Sequence, residues 1–362
     1  MRRGTLITVN VMAFPMSKAR DPNGPNAVGH KNILSAVTTA LMDLVGNEGQ
    51  LPPVPPEVRI EGKVCLVTGA GSGLGKAVSV ELARRGGRVI MVCRSGIPEA
   101  GEEVKQLSGN TQIEMLHADL SDLESVSRLC DQLRDSGTVI DIAVLNAGLM
   151  PLNARRSPQG YELMFAVHFL ANRLMLARWL HDGVIRPGGK NGSPPRVIFV
   201  SSEAHKSSTP IDFNKFAAFT PYGMNDGMKY YASSKLHLST FAVELSRREN
   251  PGDLVEVAVH SLCPGPIASN IARESPAWVK PLLGPIMRWF FRSPQQAAEP
   301  VVYLACAPEM GERTGVYLHM MREKQPSSLA LDAENGKRLW QMSGALLEPF
   351  LPNNREKSNA SL

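Results

Sequence analysis

From about residue 61 onward, short apolar runs alternate with stretches whose apolar residues recur at helical spacing. KVCLVTGA reads as a buried strand and KAVSVELARRGG as a helix stopped by glycine. RVIMVCR and IEMLHADL supply a second and a third strand, followed by the helical stretch LESVSRLCDQLRDSG. IDIAVLNAG, RVIFVSS, VEVAVHSLCPG and GVYLH supply the later strands. Their runs exceed simple alternation, which is the pattern of strands covered by helices on both faces. The order predicts a doubly wound, Rossmann-type α/β sheet of about seven mainly parallel strands with helices on both faces.

The flanks follow other patterns. In HKNILSAVTTALMDLVG, Leu34, Val37, Leu41 and Leu44 share one helical face that calls for a partner surface. LPPVPPEVRIEG follows, and its four prolines stiffen an extended linker. Residues 1–60 are therefore expected to be an N-terminal extension, 61–325 the main α/β domain, and 326–362 a C-terminal helix with a loose tail. In the C-terminal helix, Leu339, Met342 and Leu346 are the expected packing residues and Gly344 a weak point. A region at about 270–297 carries Trp278, Leu282, Leu283, Ile286, Met287, Trp289, Phe290 and Phe291. Such a stretch suits helix packing, a substrate lid, an oligomer surface or a membrane-surface patch.

Composition narrows the class. With 43% hydrophobic and 20% charged residues over 362 positions, the chain is expected to fold as a soluble globular protein. A net charge of +5 is small for this length, and no nucleic-acid-binding signature accompanies it. The five cysteines are scattered without a CxxC pair, which suits separate apolar packing in a reducing compartment and no metal site. No apolar run is long enough to span a membrane, and the weak signal-like start at Arg2-Arg3 is interrupted at Asn10. A cytoplasmic protein, with peripheral membrane contact left open, is the expectation.

The strongest local chemistry is Thr68-Gly69-Ala70-Gly71-Ser72-Gly73-Leu74-Gly75, set between a strand and a helix. Glycines there allow a tight turn and close approach of backbone to a pyrophosphate, with the charge against free helix amides. Gly69, Gly71, Ser72, Gly73, Leu74 and Gly75 are thus candidate cofactor contacts, and the absence of GxxxxGK[ST] argues against an ATPase. Arg94, at the end of the second strand, suits a ribose 2′-phosphate where an acidic residue would repel it. NADP(H) is therefore favoured over NAD(H). Asp119 and Leu120 close the third strand at the expected adenine edge, and Asn146, Ala147 and Gly148 border the expected nicotinamide ribose.

TGAGSGLG, HADL, LNAG, VSSEAH, YYASSK and CPG, in that order, resemble the short-chain dehydrogenase/reductase superfamily over about residues 61 to 325. The long interval from VSSEAH to the tyrosine, and the C-terminal GVYLHMMREKQPSS, resemble its retinol dehydrogenase-like branch. That resemblance implies a homo-oligomeric NADP(H)-linked carbonyl reductase or alcohol dehydrogenase with a bulky apolar substrate. It also implies that Tyr231 and Lys235 of YxxxK are catalytic, with Ser202 positioning the substrate oxygen. Spacing of i and i+4 puts the phenol and the ammonium on one helix face, where the charge is expected to lower the tyrosine pKa. The resemblance further implies that Tyr231 and Lys235 face the cofactor and that Pro264, Gly265, Ile267 and Ser269 fall in a loop against the nicotinamide. Tyr230, one residue out of register, is expected to be structural or pocket-lining.

One position departs from the family. His168 in FAVHFLANRLML stands where members commonly carry an asparagine that helps to hold a proton route. A histidine can preserve that route, make it sensitive to pH, or be a locally satisfied helix residue. Two alternatives accordingly stand beside the main reading: reduction of an activated C=C bond, and a cofactor-binding regulatory or scaffold protein without turnover.

Overall fold

The computed structural model describes residues 49–188, 193–267 and 292–351. The expected amphipathic helix at 34–44, most of the apolar segment at 270–297, Ser269 and the tail from 352 lie outside the described residues. The apolar runs become β1 (Val64–Thr68), β2 (Arg88–Cys93), β3 (Ile113–His117), β4 (Ile142–Leu145), β5 (Arg196–Val200), β6 (Ala258–Cys263) and β7 (Tyr317–His319). They pair in parallel and in register. An eighth strand, β8 (Arg322–Lys324), folds back antiparallel on β7. Its sequence, Arg-Glu-Lys, has no apolar position, so only the hairpin geometry reveals it. Such charged, short strands blunt a sheet edge.

The strand order is β3-β2-β1-β4-β5-β6-β7-β8. The chain winds outward from β1 through β2 to β3, then returns to place β4 on the other side of β1. That reversal opens a crevice at the carboxyl ends of β1 and β4, where ligands of open α/β sheets bind.

Helices fill both faces: α1 (Gly73–Arg84), α2 (Glu99–Ser108), α3 (Leu123–Asp135), α4 (Ala171–His181), α5 (Gly227–Glu249) and α6 (Pro294–Cys306), with α7 (Ser328–Leu331) and α8 (Ala333–Leu347) after the sheet. Alternate strand residues serve alternate cores, because successive side chains of a strand point to opposite faces. Leu66, Ile90 and Val92 pack with Leu129 of α3, Leu174 of α4 and Phe241 of α5. Cys65, Val67, Val89 and Met91 pack with Val78 of α1, Val104 of α2 and Val301 of α6.

Helix α8 lies on α5. Gly336 permits the approach, since a Cβ there would stand 2.7 Å from Glu244 Oε2. Trp340 is sandwiched between the guanidinium groups of Arg173 at 3.9 Å and Arg248 at 4.4 Å. Leu339 is buried and Met342 and Leu346 pack beside it, as their spacing indicated. All five cysteines are buried and unpaired. Among the described residues, no helix is long and apolar enough to cross a membrane.

Candidate active site

At the crevice, Thr68 ends β1 and its Oγ1 accepts from the N–H groups of Asn146 (3.0 Å) and Ala147 (3.1 Å). Asn146 Nδ2 donates back to the Thr68 carbonyl at 2.8 Å. Thr68 thus locks the glycine turn to the Asn-Ala-Gly loop, a role that required knowing β4 lies beside β1. Gly69 has φ +65° and a Cβ there would lie 2.9 Å from Ala147 Cα, while one on Gly75 would collide with the Gly69 carbonyl. Ser72 makes no side-chain cap at the start of α1, and the first turn carries no acid. The leading amides of α1 are left free of a side-chain cap, the chemistry an anionic pyrophosphate requires.

The nucleotide-end residues from β2 and β3 meet beside this turn. Arg94 is 68% exposed in its side chain and stands 4.0 Å from Asp119 Oδ2. The other oxygen of Asp119 accepts from Ser121 N at 2.9 Å and Ser121 Oγ at 2.7 Å. Leu120 is buried in the core, so only its backbone can face a ligand.

Helix α5 brings the chemical residues in from the other side. Lys235 Nζ donates to the Val200 carbonyl at 2.9 Å, which ties α5 to the end of β5. Ser202 follows that strand end, with its hydroxyl close enough to Tyr231 to pull the phenol's pKa down. Ser201, one residue earlier, turns inward to Ser239 Oγ at 2.7 Å. Tyr230 stacks on Tyr222 at 4.2 Å.

The tyrosine does not behave as the YxxxK spacing suggested. Burial pushes the Tyr231 phenol up to about 12, against the opposing pull of the nearby Ser202 hydroxyl. Lys235 lies 5.8 Å from the Tyr231 ring centre, directs its ammonium at Val200, and is itself pushed down to about 8 by burial. Desolvation therefore dominates the state of the phenol. A phenol that keeps its proton at neutral pH is suited to act as an acid.

His168 is completely buried, in a single π turn (Ala166–Leu170) that leads into α4. Its Nε2 accepts from Leu149 N at 3.0 Å, so its proton resides on Nδ1, which contacts Ser234 Oγ at 2.9 Å. Ser234 Oγ in turn donates to the Tyr231 carbonyl at 2.8 Å. Both ring nitrogens are thus occupied by protein, and burial together with the Lys235 charge holds the ring's pKa well below its usual value. Asn172, one turn on, donates to the His168 carbonyl at 2.8 Å.

The loop after β6 contains Gly265 at φ +83°, packed against Met320, and Ile267 bridged to Arg292. In the segment before α5, Phe213 is buried and Phe216 meets Phe165 at 5.5 Å, anchoring the segment to the body.

Comparison with known proteins matches the short chain dehydrogenase model over residues 63–218. Human retinol dehydrogenase 13 is 32% identical over 314 residues, spanning 84% of this chain and 90% of its own. The Bos taurus dehydrogenase/reductase SDR family member 13 is 32% identical over 304 residues, covering 82% and 76% of the respective chains. An uncharacterized protein from Mycobacterium Paratuberculosis superposes with a TM-score of 0.62 at 23% identity, covering 82% and 98%. The Pseudomonas aeruginosa RhlG/NADP complex gives 0.55 at 22% identity, covering 74% and 98%. The chain belongs to the short-chain dehydrogenase/reductase superfamily, an oxidoreductase class with NAD(P)(H)-dependent chemistry. Its relatives place it on the retinol dehydrogenase-like branch.

Proposed function

We propose that the protein is an NADP(H)-dependent carbonyl reductase, or the corresponding alcohol dehydrogenase, acting on a bulky apolar substrate. The observation that carries this reading is the convergence of Ser202, just past the end of β5, with Tyr231 and buried Lys235 of α5, at the carboxyl end of the sheet. Gly69, Gly71, Ser72, Gly73, Leu74 and Gly75 would hold the pyrophosphate, with Arg94 on the 2′-phosphate and Asp119 and Leu120 at the adenine. Asn146, Ala147, Gly148, Tyr231 and Lys235 would border the nicotinamide ribose, and Pro264, Gly265, Ile267 and Ser269 the nicotinamide. A bound nicotinamide supplies or accepts the hydride.

Within that frame Ser202 donates to the substrate oxygen and orients it, as a positioned donor stabilises developing charge. Tyr231 passes its phenolic proton to that oxygen in reduction and recovers it in oxidation. Lys235 sustains the positive field that offsets charge on the phenolate. His168 supports the site indirectly: it holds the Leu149 amide and, through Ser234, the backbone of Tyr231.

Support for a bulky apolar substrate comes from Met228, 55% exposed and three residues before Tyr231 on the same helix, and from Met224, 66% exposed. The apolar segment at about 270–297 adds the composition of a lid, and several relatives carry retinol in their names. We retain the division into 1–60, 61–325 and 326–362, a homo-oligomeric state, and a cytoplasmic location suited to unpaired cysteines.

The test is a parallel titration of the full chain with NADPH and NADH, followed by incubation with trans-cinnamaldehyde. Tighter NADPH binding and formation of cinnamyl alcohol are expected. Saturation of the C=C bond instead would identify an alkene reductase, and tight cofactor binding without product a regulatory protein. Binding of neither nucleotide contradicts the proposal.

A further inference from the structure

We infer that His205 is a positioning residue for Ser202, a strut that transmits the docking of the C-terminal segment to the serine. This rests on the oxidoreductase reading above and extends it to a residue outside the serine, tyrosine and lysine.

His205 is completely buried three residues after Ser202. Its Nε2 accepts from the Ser327 backbone N–H at 3.0 Å. A backbone amide only donates, so that nitrogen carries a lone pair and the ring proton resides on Nδ1. Nδ1 then donates to the Ser202 carbonyl at 2.6 Å, which also accepts from the His205 backbone N–H at 3.1 Å. The serine's carbonyl is thereby fixed from two directions. Its hydroxyl, which accepts from Ala204 N at 3.2 Å, is left facing Tyr231.

The far end of the strut is equally tied. Ser327 caps α7, accepting from Ala330 N at 3.3 Å, and α7 packs on α5, the helix of Tyr231. Arg247 of α5 donates to the Leu331 carbonyl at 2.6 Å. The His205 ring meets Tyr317 edge-on at 5.4 Å, and Tyr317 donates to Glu203 Oε1 at 2.6 Å. Glu203 and His205, which follow Ser202, are thus gripped by β7 and by the segment after β8. A side chain positioned by such supporting bonds loses activity when they loosen, even though they touch no substrate.

Steady-state reduction of trans-cinnamaldehyde by NADPH tests this in the wild type, His205→Phe and Ser327→Pro. His205→Phe keeps a ring but removes both polar contacts. Ser327→Pro removes the amide that fixes the ring, together with the hydroxyl that caps α7, at a φ of −62° that proline accepts, and serves if the first variant does not fold. The expected result is a kcat loss of about tenfold to hundredfold, with NADPH affinity unchanged, and a larger loss for His205→Phe. His205→Asn, which can still donate to the Ser202 carbonyl, should recover most of the loss. Unchanged kcat in folded His205→Phe or Ser327→Pro, with only a lowered melting temperature, overturns the inference and leaves the oxidoreductase reading standing. A wild type that reduces nothing removes both.

Discussion

The nucleotide end and the chemical end of this protein are built in different ways. At the nucleotide end, the turn from Thr68 to Gly75 shapes a cradle largely with backbone, and the needed residues are those whose side chains are small or absent. At the chemical end, Ser202 follows β5 while Tyr231 and Lys235 come from α5, and side chains support them. His168 reaches Leu149 and Ser234, and His205 reaches Ser202 and Ser327. A backbone cradle is a local property of sequence, whereas a side-chain scaffold exists only after the fold has formed.

Substitutions can separate the two ends. Ser202→Ala strikes the chemical end directly and should lower kcat about 10²-fold to 10³-fold while NADPH affinity holds, as measured by turnover and fluorescence titration.

Acid should attack the chemical end next. Burial lowers the pKa of His168 and His205, and brings His237 and His260 to about 4. The unfolded chain binds these protons near the usual 6.5, so between that value and 4 it holds more protons than the folded chain. Stability is therefore complete above pH 6.5 and declines as pH falls towards 4, by about 3 kcal/mol each for His237 and His260. Hydrogen exchange at pH 5 against pH 7 should show α5 and the C-terminal helices opening before β1 and α1.

Gly75→Ala strikes the cradle instead. Its new methyl meets the Gly69 carbonyl and Asn146 Nδ2, so stability should fall by about 1–3 kcal/mol and NADPH should bind more weakly. At saturating cofactor, kcat should survive, which calorimetry and kinetics together would check. The smallest effect belongs to exposed Arg94: Arg94→Gln should weaken NADPH about tenfold and leave NADH unchanged in paired titrations.

The same contrast explains what the sequence disclosed. The parallel strands were legible because a strand buried on both faces is a run of apolar residues, and the glycine turn because its chemistry is contiguous. β8 was not, since hairpin geometry rather than apolar pattern makes it a strand. The π turn at Ala166–Leu170 was hidden, because apolar periodicity does not register one extra residue per turn. Thr68, Ser234 and His205 sit within or beside quoted motifs, yet their partners are 78, 66 and 122 residues away. The raised pKa of Tyr231 was missed for a related reason: spacing located the lysine, but desolvation depends on the whole surrounding fold.

The most direct measurement is a single turnover with NADPH already bound, following loss of dihydronicotinamide absorbance on mixing with trans-cinnamaldehyde, in the wild type and Tyr231→Phe. Transfer in the wild type, and a rate about 10²-fold to 10⁴-fold slower in a variant that binds NADPH equally well, is the expected result. Equal rates in the two proteins would contradict the assignment of Tyr231 as the proton donor.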